Sequence, residues 1–350
     1  MVSHKHRLLS LLVIFGAILT LTFIVGCSDD DESNPVTPDP TYSEFGMIYT
    51  AAATYLASGT APTIKAADVY TNLNDGNAAN DPFILSIRGA TDYAAGHVPG
   101  TVNIAWRDIG KAASLALLPD DKQIVVVCYT GHTASQTTMF LNMLGYDAVV
   151  MKFGMMSWTI DTLDNPSVKT IKPYDSTLDC GDYPVSTAAV TPGAFTLPEI
   201  DSTTSTDTTE IIRAAYDTWL GTGAGATIKA SDVYTNLNDG DATNDPLILS
   251  VRGGTDYAAG HVTGAINIGW RDIASAVSLA QLPTDKQIVV ICYTGHTASM
   301  VTALLNMLGY DAKAMKFGMT SWTIDPTDNP SITTVKYYNP DLDCGDYPVD

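Results

Sequence analysis

The pattern of apolar and polar positions predicts alternating strands and helices in each half of the chain. In the first half, apolar runs at 83–87, 102–105, 123–127 and 148–152 are typical of strands. The run at 123–127 is almost entirely β-branched, as expected for a strand buried on both faces of a parallel sheet. Helices are predicted at 107–117 and 133–144, the second ending at Gly145. The alternation predicts an α/β fold, a parallel sheet with helices on both faces.

An internal repeat accounts for the second half of the chain. Adding 164 to a position in the first half gives its counterpart without a gap, so that Cys128 corresponds to Cys292 and Trp158 to Trp322. The segments DVYTNLNDG, CYTGHTAS, LNMLGYDA and LDCGDYPV occur in both halves. A period of this length indicates a duplicated domain rather than a solenoid.

The amino-terminal segment predicts an exported, lipid-anchored protein. A basic start at 4–7 precedes an apolar run at 8–25 that ends in Gly26 and Cys27. This segment resembles the lipobox leader of bacterial lipoproteins, which implies cleavage before Cys27, lipidation of its sulfur and a place in the cell envelope, on the periplasmic or extracellular side. An uncleaved membrane anchor is the alternative. The predicted segments are a leader at 1–26, a tether at 27–46, a first domain at 47–185, a linker at 186–209 and a second domain at 210–350.

Composition excludes several classes of function. A formal net charge of −20 leaves no basic surface for nucleic acid or for an anionic membrane face. No pair of cysteines or histidines has the spacing of a metal site, and we predict neither a metal nor another cofactor.

The candidate chemistry lies where the most buried strand ends. Cys128 and Cys292 follow that strand and precede a helix, and parallel sheets bind ligands at this end of their strands. A helix start offers N–H groups and a positive dipole, which together favour the thiolate. Gly131 would let the loop curl into a nest of amides for an anion.

Each copy resembles a rhodanese domain over nearly its full length. The resemblance lies in PFILSIRGATDYAAGHVPGTVNIAW, CYTGHTAS, LGYDAVVMKFGMMSW and their second-half equivalents. It implies an extracytoplasmic sulfurtransferase in which Cys128 and Cys292 take sulfane sulfur as a persulfide and pass it to a thiol or cyanide-like acceptor. The implied donors are thiosulfate, polysulfide or another persulfide. The substrate-binding loops would comprise Tyr129, Thr130, Gly131, His132 and Thr133 and their counterparts Tyr293, Thr294, Gly295, His296 and Thr297.

The resemblance also implies roles outside the nucleophile. Thr133 and Thr297 would donate hydrogen bonds, and His132 and His296 would donate or act as a proton source. Ion pairs between Arg88 and Asp92, and between Arg252 and Asp256, would support the first strand. Further expectations are hydrogen-bonded histidines at 97 and 261, core tryptophans at 158 and 322, and solvated arginines or anion contacts at 107 and 271.

Two departures from the rhodanese pattern affect the expected donor. Ser86 and Ser250 occupy the position of the usual aspartate two residues before the arginine, and the loop carries no arginine or lysine beside its cysteine. The departures favour polysulfide or a protein persulfide over thiosulfate.

Alternative functions differ in what they require of the loop. Phosphatases of similar fold need an arginine six residues after the cysteine, where this chain has Ala134 and Ala298. A non-enzymatic sulfur carrier or a sensing module with this fold stays open. For Cys180 and Cys344 three interpretations stay open, namely a disulfide between the copies, resolving thiols, or partly buried free thiols.

Overall fold

The computed structural model describes residues 43–200, 203–225, 227–335 and 337–350 of the chain. The predicted leader, the lipidation of Cys27 and most of the tether lie outside the described residues and stay predictions. Within the described ranges, no helix is both long enough and apolar enough to cross a bilayer.

Strands and helices alternate in the first copy, in the predicted order. Its elements are α1 (Glu44–Ala57), β1 (Thr63–Ile64), α2 (Ala66–Asn74), β2 (Phe83–Ser86), α3 (Ala90–Ala94), β3 (Val102–Asn103), α4 (Ala112–Leu115), β4 (Ile124–Val127), α5 (His132–Met143), β5 (Ala148–Met151) and α6 (Met155–Trp158). Short 3₁₀ turns lie at Trp106–Asp108 and Pro166–Lys169.

The second copy repeats these elements. They are α7 (Thr208–Gly221), β6 (Thr227–Ile228), α8 (Ala230–Leu237), β7 (Leu247–Ser250), α9 (Gly254–Ala259), β8 (Ile266–Asn267), α10 (Ala276–Leu279), β9 (Ile288–Ile291), α11 (His296–Met307), β10 (Ala312–Met315), α12 (Met319–Trp322) and α13 (Pro340–Asp343). A 3₁₀ turn lies at Pro330–Thr333.

Each copy contains one parallel sheet of five strands. The strand orders are β1-β5-β4-β2-β3 and β6-β10-β9-β7-β8, and all pairings are parallel. The β-branched strand β4 is central and wholly buried, which confirms the prediction for 123–127. Alternate residues of a strand point to opposite faces. Accordingly Ile124 and Val126 join one core cluster, whereas Val125 and Val127 join another.

The predicted helix at 107–117 is wrong in extent, since only a 3₁₀ turn and the short α4 form there. Gly110 interrupts the segment, and helix α7 of the other copy packs against it. A Cβ at Gly110 would lie 2.0 Å from Oδ1 of Asp217. The close contact with the other copy therefore requires glycine at position 110, and glycine disfavours the helix predicted at 107–117.

Four helices join the two copies into one folded body. Helices α5 and α11 pack against each other, while α1 and α7 pack against one another and against that pair. Each of the two long amino-terminal helices is capped by a side chain, Ser43 for α1 and Asp207 for α7. One continuous cluster of buried residues contains side chains of both copies, including Phe140 and Tyr216, whose rings stack at 4.1 Å.

The tails of the two copies are exchanged. The amide of Tyr183, from the first tail, donates to the carbonyl of Trp322 in the second copy (2.9 Å), and its ring stacks on Tyr234. Likewise, the amide of Tyr347 at the carboxyl end donates to the carbonyl of Trp158 in the first copy (3.0 Å). Residues 181–188 thus lie on the second copy, and 345–350 on the first. The tryptophans are core residues, as predicted, and each is covered by the other copy's tail.

Candidate active site

Each candidate nucleophile lies directly after the central strand of its sheet and before the long buried helix. Cys128 and Cys292 are each only 2% exposed. The amide N–H of Gly131 donates to Sγ of Cys128 at 3.0 Å, and Gly295 does the same for Cys292. Hydrogen bonds from N–H groups stabilise a sulfur anion. The sequence therefore predicted correctly where the loop cysteines lie in the fold.

Two glycines per copy give the loop its path. Gly131 and Gly295 have φ of 89° and 91°, which is the left-handed conformation that glycine adopts without strain. Gly154, with φ of 61° and ψ of −147°, packs against the loop from the next segment. A Cβ there would lie 2.5 Å from the carbonyl oxygen of Cys128. Gly154 was not among the predicted site residues, although the Lys-Phe-Gly-Met sequence that follows the last strand in both copies is a signal for it.

The segment that follows β5 holds the loop by backbone hydrogen bonds. Met155 donates from its amide to the carbonyl of Cys128 at 2.8 Å, and Met156 donates to Tyr129 at 3.2 Å. The second copy has the same arrangement, with Met319 donating to Cys292. The carbonyl groups of the loop are therefore directed to α6 and α12.

The loop histidines reach across to the opposite copy. Nε2 of His132 accepts from the amide of Phe317 at 3.0 Å, and Nε2 of His296 accepts from the amide of Phe153 at 3.1 Å. The two imidazoles stack with centroids 5.9 Å apart. The two cysteine loops consequently meet where the copies join.

Hydrogen bonding fixes the protonation of both histidines. Because Nε2 accepts, the proton of a neutral ring lies on Nδ1, and it points to Thr130 Oγ1 at 2.9 Å or to Thr294 Oγ1 at 3.0 Å. Burial lowers the pKa of His132 well below its usual value, and the neighbouring His296 and Lys316 lower it further. Burial and Lys152 lower the pKa of His296 to about 3. Both rings are neutral and have both nitrogens engaged, so this arrangement assigns them to joining the loops rather than to supplying protons.

The predicted ion pair between Arg88 and Asp92 is wrong. The carboxylate of Asp92 instead accepts from the hydroxyl of Tyr129 at 2.5 Å, and Asp256 accepts from Tyr293 in the same way. Burial and this carboxylate raise the pKa of Tyr129 to about 12. Nη2 of Arg88 donates to the carbonyl of Gly96 at 2.5 Å. The sequence pattern did not reveal that the tyrosine of the loop would reach the carboxylate first.

Arg107 is exposed and Arg271 half-buried, and the contacts of both arginines lie at helix ends rather than at the cysteine loop. Arg271 donates to the carbonyls of Leu56 and Thr60, at 2.7 and 2.8 Å, at the end of helix α1. Arg107 donates in the same way to Leu220 at the end of α7. A cation there satisfies the free carbonyls and the negative end of the helix dipole. These arginines therefore cap helices of the opposite copy.

The other histidines, threonines and cysteines singled out in the sequence lie in the following places. The ring of His97 bonds to the carbonyl of Tyr93 at 2.9 Å, and that of His261 to Tyr257 at 2.7 Å, as expected for hydrogen-bonded histidines. Thr133 and Thr297 are half-buried at the first turn of their helices. Among the described cysteines no disulfide forms, and Cys180 and Cys344 are half-buried free thiols on the exchanged tails.

Comparison with known proteins identifies the family. The family model for the rhodanese-like domain matches twice, at residues 65–161 and 229–325. The chain belongs to the rhodanese-like domain family. Its tandem arrangement and its two α/β domains agree with the resemblance seen in the sequence. Among the described residues of this rhodanese-like protein, no cluster of His, Cys, Asp or Glu is suited to hold a metal ion.

Several relatives carry sulfurtransferase names. Thiosulfate sulfurtransferase GlpE of Pseudomonas fluorescens is 31% identical over 77 residues, which is 22% of this chain and 69% of that protein. The putative sulfurtransferase YtwF of Bacillus subtilis is 27% identical over 85 residues, 24% of this chain and 81% of that protein. A solved thiosulfate sulfurtransferase from Pseudomonas aeruginosa covers 82% of this rhodanese-like chain and 47% of its own, with 14% identity and a TM-score of 0.29.

Proposed function

We propose that this protein moves sulfane sulfur through persulfides of Cys128 and Cys292. The observation that carries the proposal is the loop sulfur that accepts a backbone N–H bond at the start of a buried helix, in both copies. The rhodanese-like family and the sulfurtransferase relatives support a sulfurtransferase-type function.

The proposed reaction has two balanced displacements. The thiolate attacks the outer sulfur of the donor, the donor's S–S bond breaks, and its remaining sulfur-containing group leaves with the electron pair. A persulfide anion then stands on the loop cysteine. In the second step a thiol or cyanide-like acceptor attacks the outer sulfur, and the cysteine leaves as the thiolate. No external oxidant or reductant is needed.

Access to the thiols is part of this proposal. Because each thiol is 2% exposed, the loops must open before a donor reaches the sulfur. Loops without a cationic side chain beside the cysteine favour polysulfide or a protein persulfide over thiosulfate as donor. The same burial favours, as a second candidate, a carrier or sensing module that holds one sulfur without turnover.

Intact mass of the purified protein after brief exposure to polysulfide or thiosulfate tests the reaction. We expect one added sulfur per copy, lost stepwise in Cys128→Ser and Cys292→Ser and discharged by cyanide. Repeated discharge to a small thiol in the presence of donor supports the enzyme, whereas a single slow discharge supports the carrier. If reduced thiols gain no sulfur from either donor, both versions fail.

We further propose that the protein is anchored in the cell envelope through a lipid on Cys27. The support is the leader sequence alone, with its basic start, apolar run and Gly-Cys end. Metabolic labelling with a fatty-acid analogue is expected to mark the wild-type protein in the membrane fraction. Cys27→Ala should remove the label, and a label that persists in this variant would contradict the anchor.

A further inference from the structure

A buried guanidinium without a carboxylate partner lies in each copy. Arg88 and Arg252 are each 1% exposed. One nitrogen of each, Nη2, donates to a carbonyl, that of Gly96 or Gly260, at 2.5 Å. Within the described residues, Nε and Nη1 of both arginines have no hydrogen-bond partner. Each copy therefore buries a guanidinium cation with two nitrogens that have no hydrogen-bond partner within the described residues.

Burying this positive charge lowers the stability of the fold unless a nearby anion offsets it. A buried charge without a partner loses its hydration and gains nothing in return. The nearest carboxylates, Asp92 and Asp256, accept hydrogen bonds from Tyr129 and Tyr293, and neither forms an ion pair with an arginine. The side chains two residues before the arginines, Ser86 and Ser250, are neutral. Within the described residues, no carboxylate therefore forms a direct ion pair with either arginine.

The guanidinium lies beside the catalytic loop. Strand β2 pairs with the central strand β4 so that Ser86 lies opposite Val127, the residue before Cys128. Arg88 follows two residues later, and its Cζ is 6.0 Å from the ring centroid of Tyr129, the residue after Cys128. Burial lowers the pKa of Arg88, and its interactions with Tyr129, Asp92, Cys128 and Tyr93 oppose that shift. For Arg252 the opposing groups are Tyr293, Asp256 and Cys292.

We infer that Arg88 and Arg252 are the counter-charges of the sulfur anions on Cys128 and Cys292. The anion is the thiolate that forms when the thiol loses its proton and, if the proposed function holds, the persulfide during transfer. Forming the thiolate releases the thiol proton to solvent, and no other group changes its charge. The positive charge that the loop sequence lacks is thus supplied from beneath the loop, by a residue that acts on the sulfur without contacting the substrate.

The test is the pH dependence of thiol alkylation, resolved by peptide mass spectrometry in the full chain. Arg88→Met should raise the apparent pKa of Cys128 by about one unit or more, as loss of a nearby opposite charge does. Cys292 in the same molecule should keep its midpoint, and Arg252→Met should produce the reverse pattern. Arg88→Lys, which keeps the charge, should restore much of the shift.

The midpoint separates a counter-charge from a structural role. A substitution that only loosens the loop raises the plateau rate of alkylation and leaves the midpoint unchanged, and this outcome would overturn the inference. Arg88→Gln, neutral but able to donate to Gly96, replaces Arg88→Met if the latter does not fold. Because alkylation needs no sulfur donor, a shifted midpoint without persulfide formation would reject the proposed function alone. Normal persulfide formation with unshifted midpoints would reject the counter-charge alone.

Discussion

Replacing His132 by alanine is expected to release the cysteine loop of the other copy. The imidazole accepts the amide N–H of Phe317 and lies against Gly295, where an added Cβ would be 2.4 Å from its Nε2. Removing the ring leaves a buried N–H without an acceptor, which costs about 1–3 kcal/mol. Since 1.4 kcal/mol is a factor of about ten, the population of open loops should rise about 5- to 140-fold.

Thiol labelling measures this opening directly. A neutral maleimide at low concentration reacts only with molecules in which a loop has opened, so its rate follows the open population. Peptide mapping then reports Cys128 and Cys292 separately. We expect the increase at Cys292 to equal or exceed that at Cys128, because the lost hydrogen bond held the second copy.

A matched control is available in the first copy. His97 is also hydrogen-bonded and stacks on Tyr93, at 3.8 Å between centroids, but it does not contact either loop. His97→Ala should leave both labelling rates near those of the wild type. Equal acceleration in the two variants, or none in His132→Ala, would refute the idea that the histidine holds the loop closed.

Three further predictions concern stability, each followed by urea unfolding. Gly154→Ala should lower the free energy of unfolding by about 3 kcal/mol or more, because the backbone conformation of Gly154 is nearly restricted to glycine and an added Cβ would meet the carbonyl of Cys128. Gly145→Ala is the control: this glycine has φ of 92° but open space around it, so the loss should be only about 1–2 kcal/mol. Arg271→Met should lower the free energy of unfolding by about 1–2 kcal/mol, because it removes the cap of helix α1. The control Arg213→Met breaks the ion pair with Asp217, 3.7 Å long, and should lower it by less than about 1 kcal/mol. Equal losses in the two variants would contradict the capping role of Arg271. The pKa of His296 is about 3 in the folded protein and about 6.5 in the unfolded chain, so that between these values only the unfolded chain binds a proton at this ring. The free energy of unfolding therefore falls as the pH drops from about 6.5 toward 3. His296→Asn should reduce this dependence on pH, and an unchanged dependence would contradict the assignment to His296.

The sequence was sufficient for features that depend on one copy alone. The β-branched run at 123–127 has the burial of a central parallel strand, and Cys128 follows it at the edge where ligands bind. The duplicated motifs predicted the two domains. Local periodicity reports which residues must be buried, and the strand order follows from the few ways of covering such strands.

Features that depend on contact between the copies could not be predicted in the same way. Arg107 and Arg271 carry no local signal that they will cap a helix more than a hundred residues distant. From its own loop the histidine is expected to be a hydrogen-bond donor, whereas in the structure its Nε2 accepts from an amide N–H of the opposite copy. The spacing of residues along the chain does not indicate which residues of the two copies will form hydrogen bonds with each other.

The exchanged tails give the duplication a physical consequence. The first copy's outer core is completed by Tyr347 and Val349, which the second copy's tail supplies, and Tyr183 and Val185 serve the second copy reciprocally. The inner core is shared as well, since helices α5 and α11 pack on each other. Either copy expressed alone would expose both surfaces, at a cost of about 25 cal/mol for each Å² of apolar area. The two cysteine loops therefore form within one shared core, and whatever opens one loop acts on the histidine that closes the other.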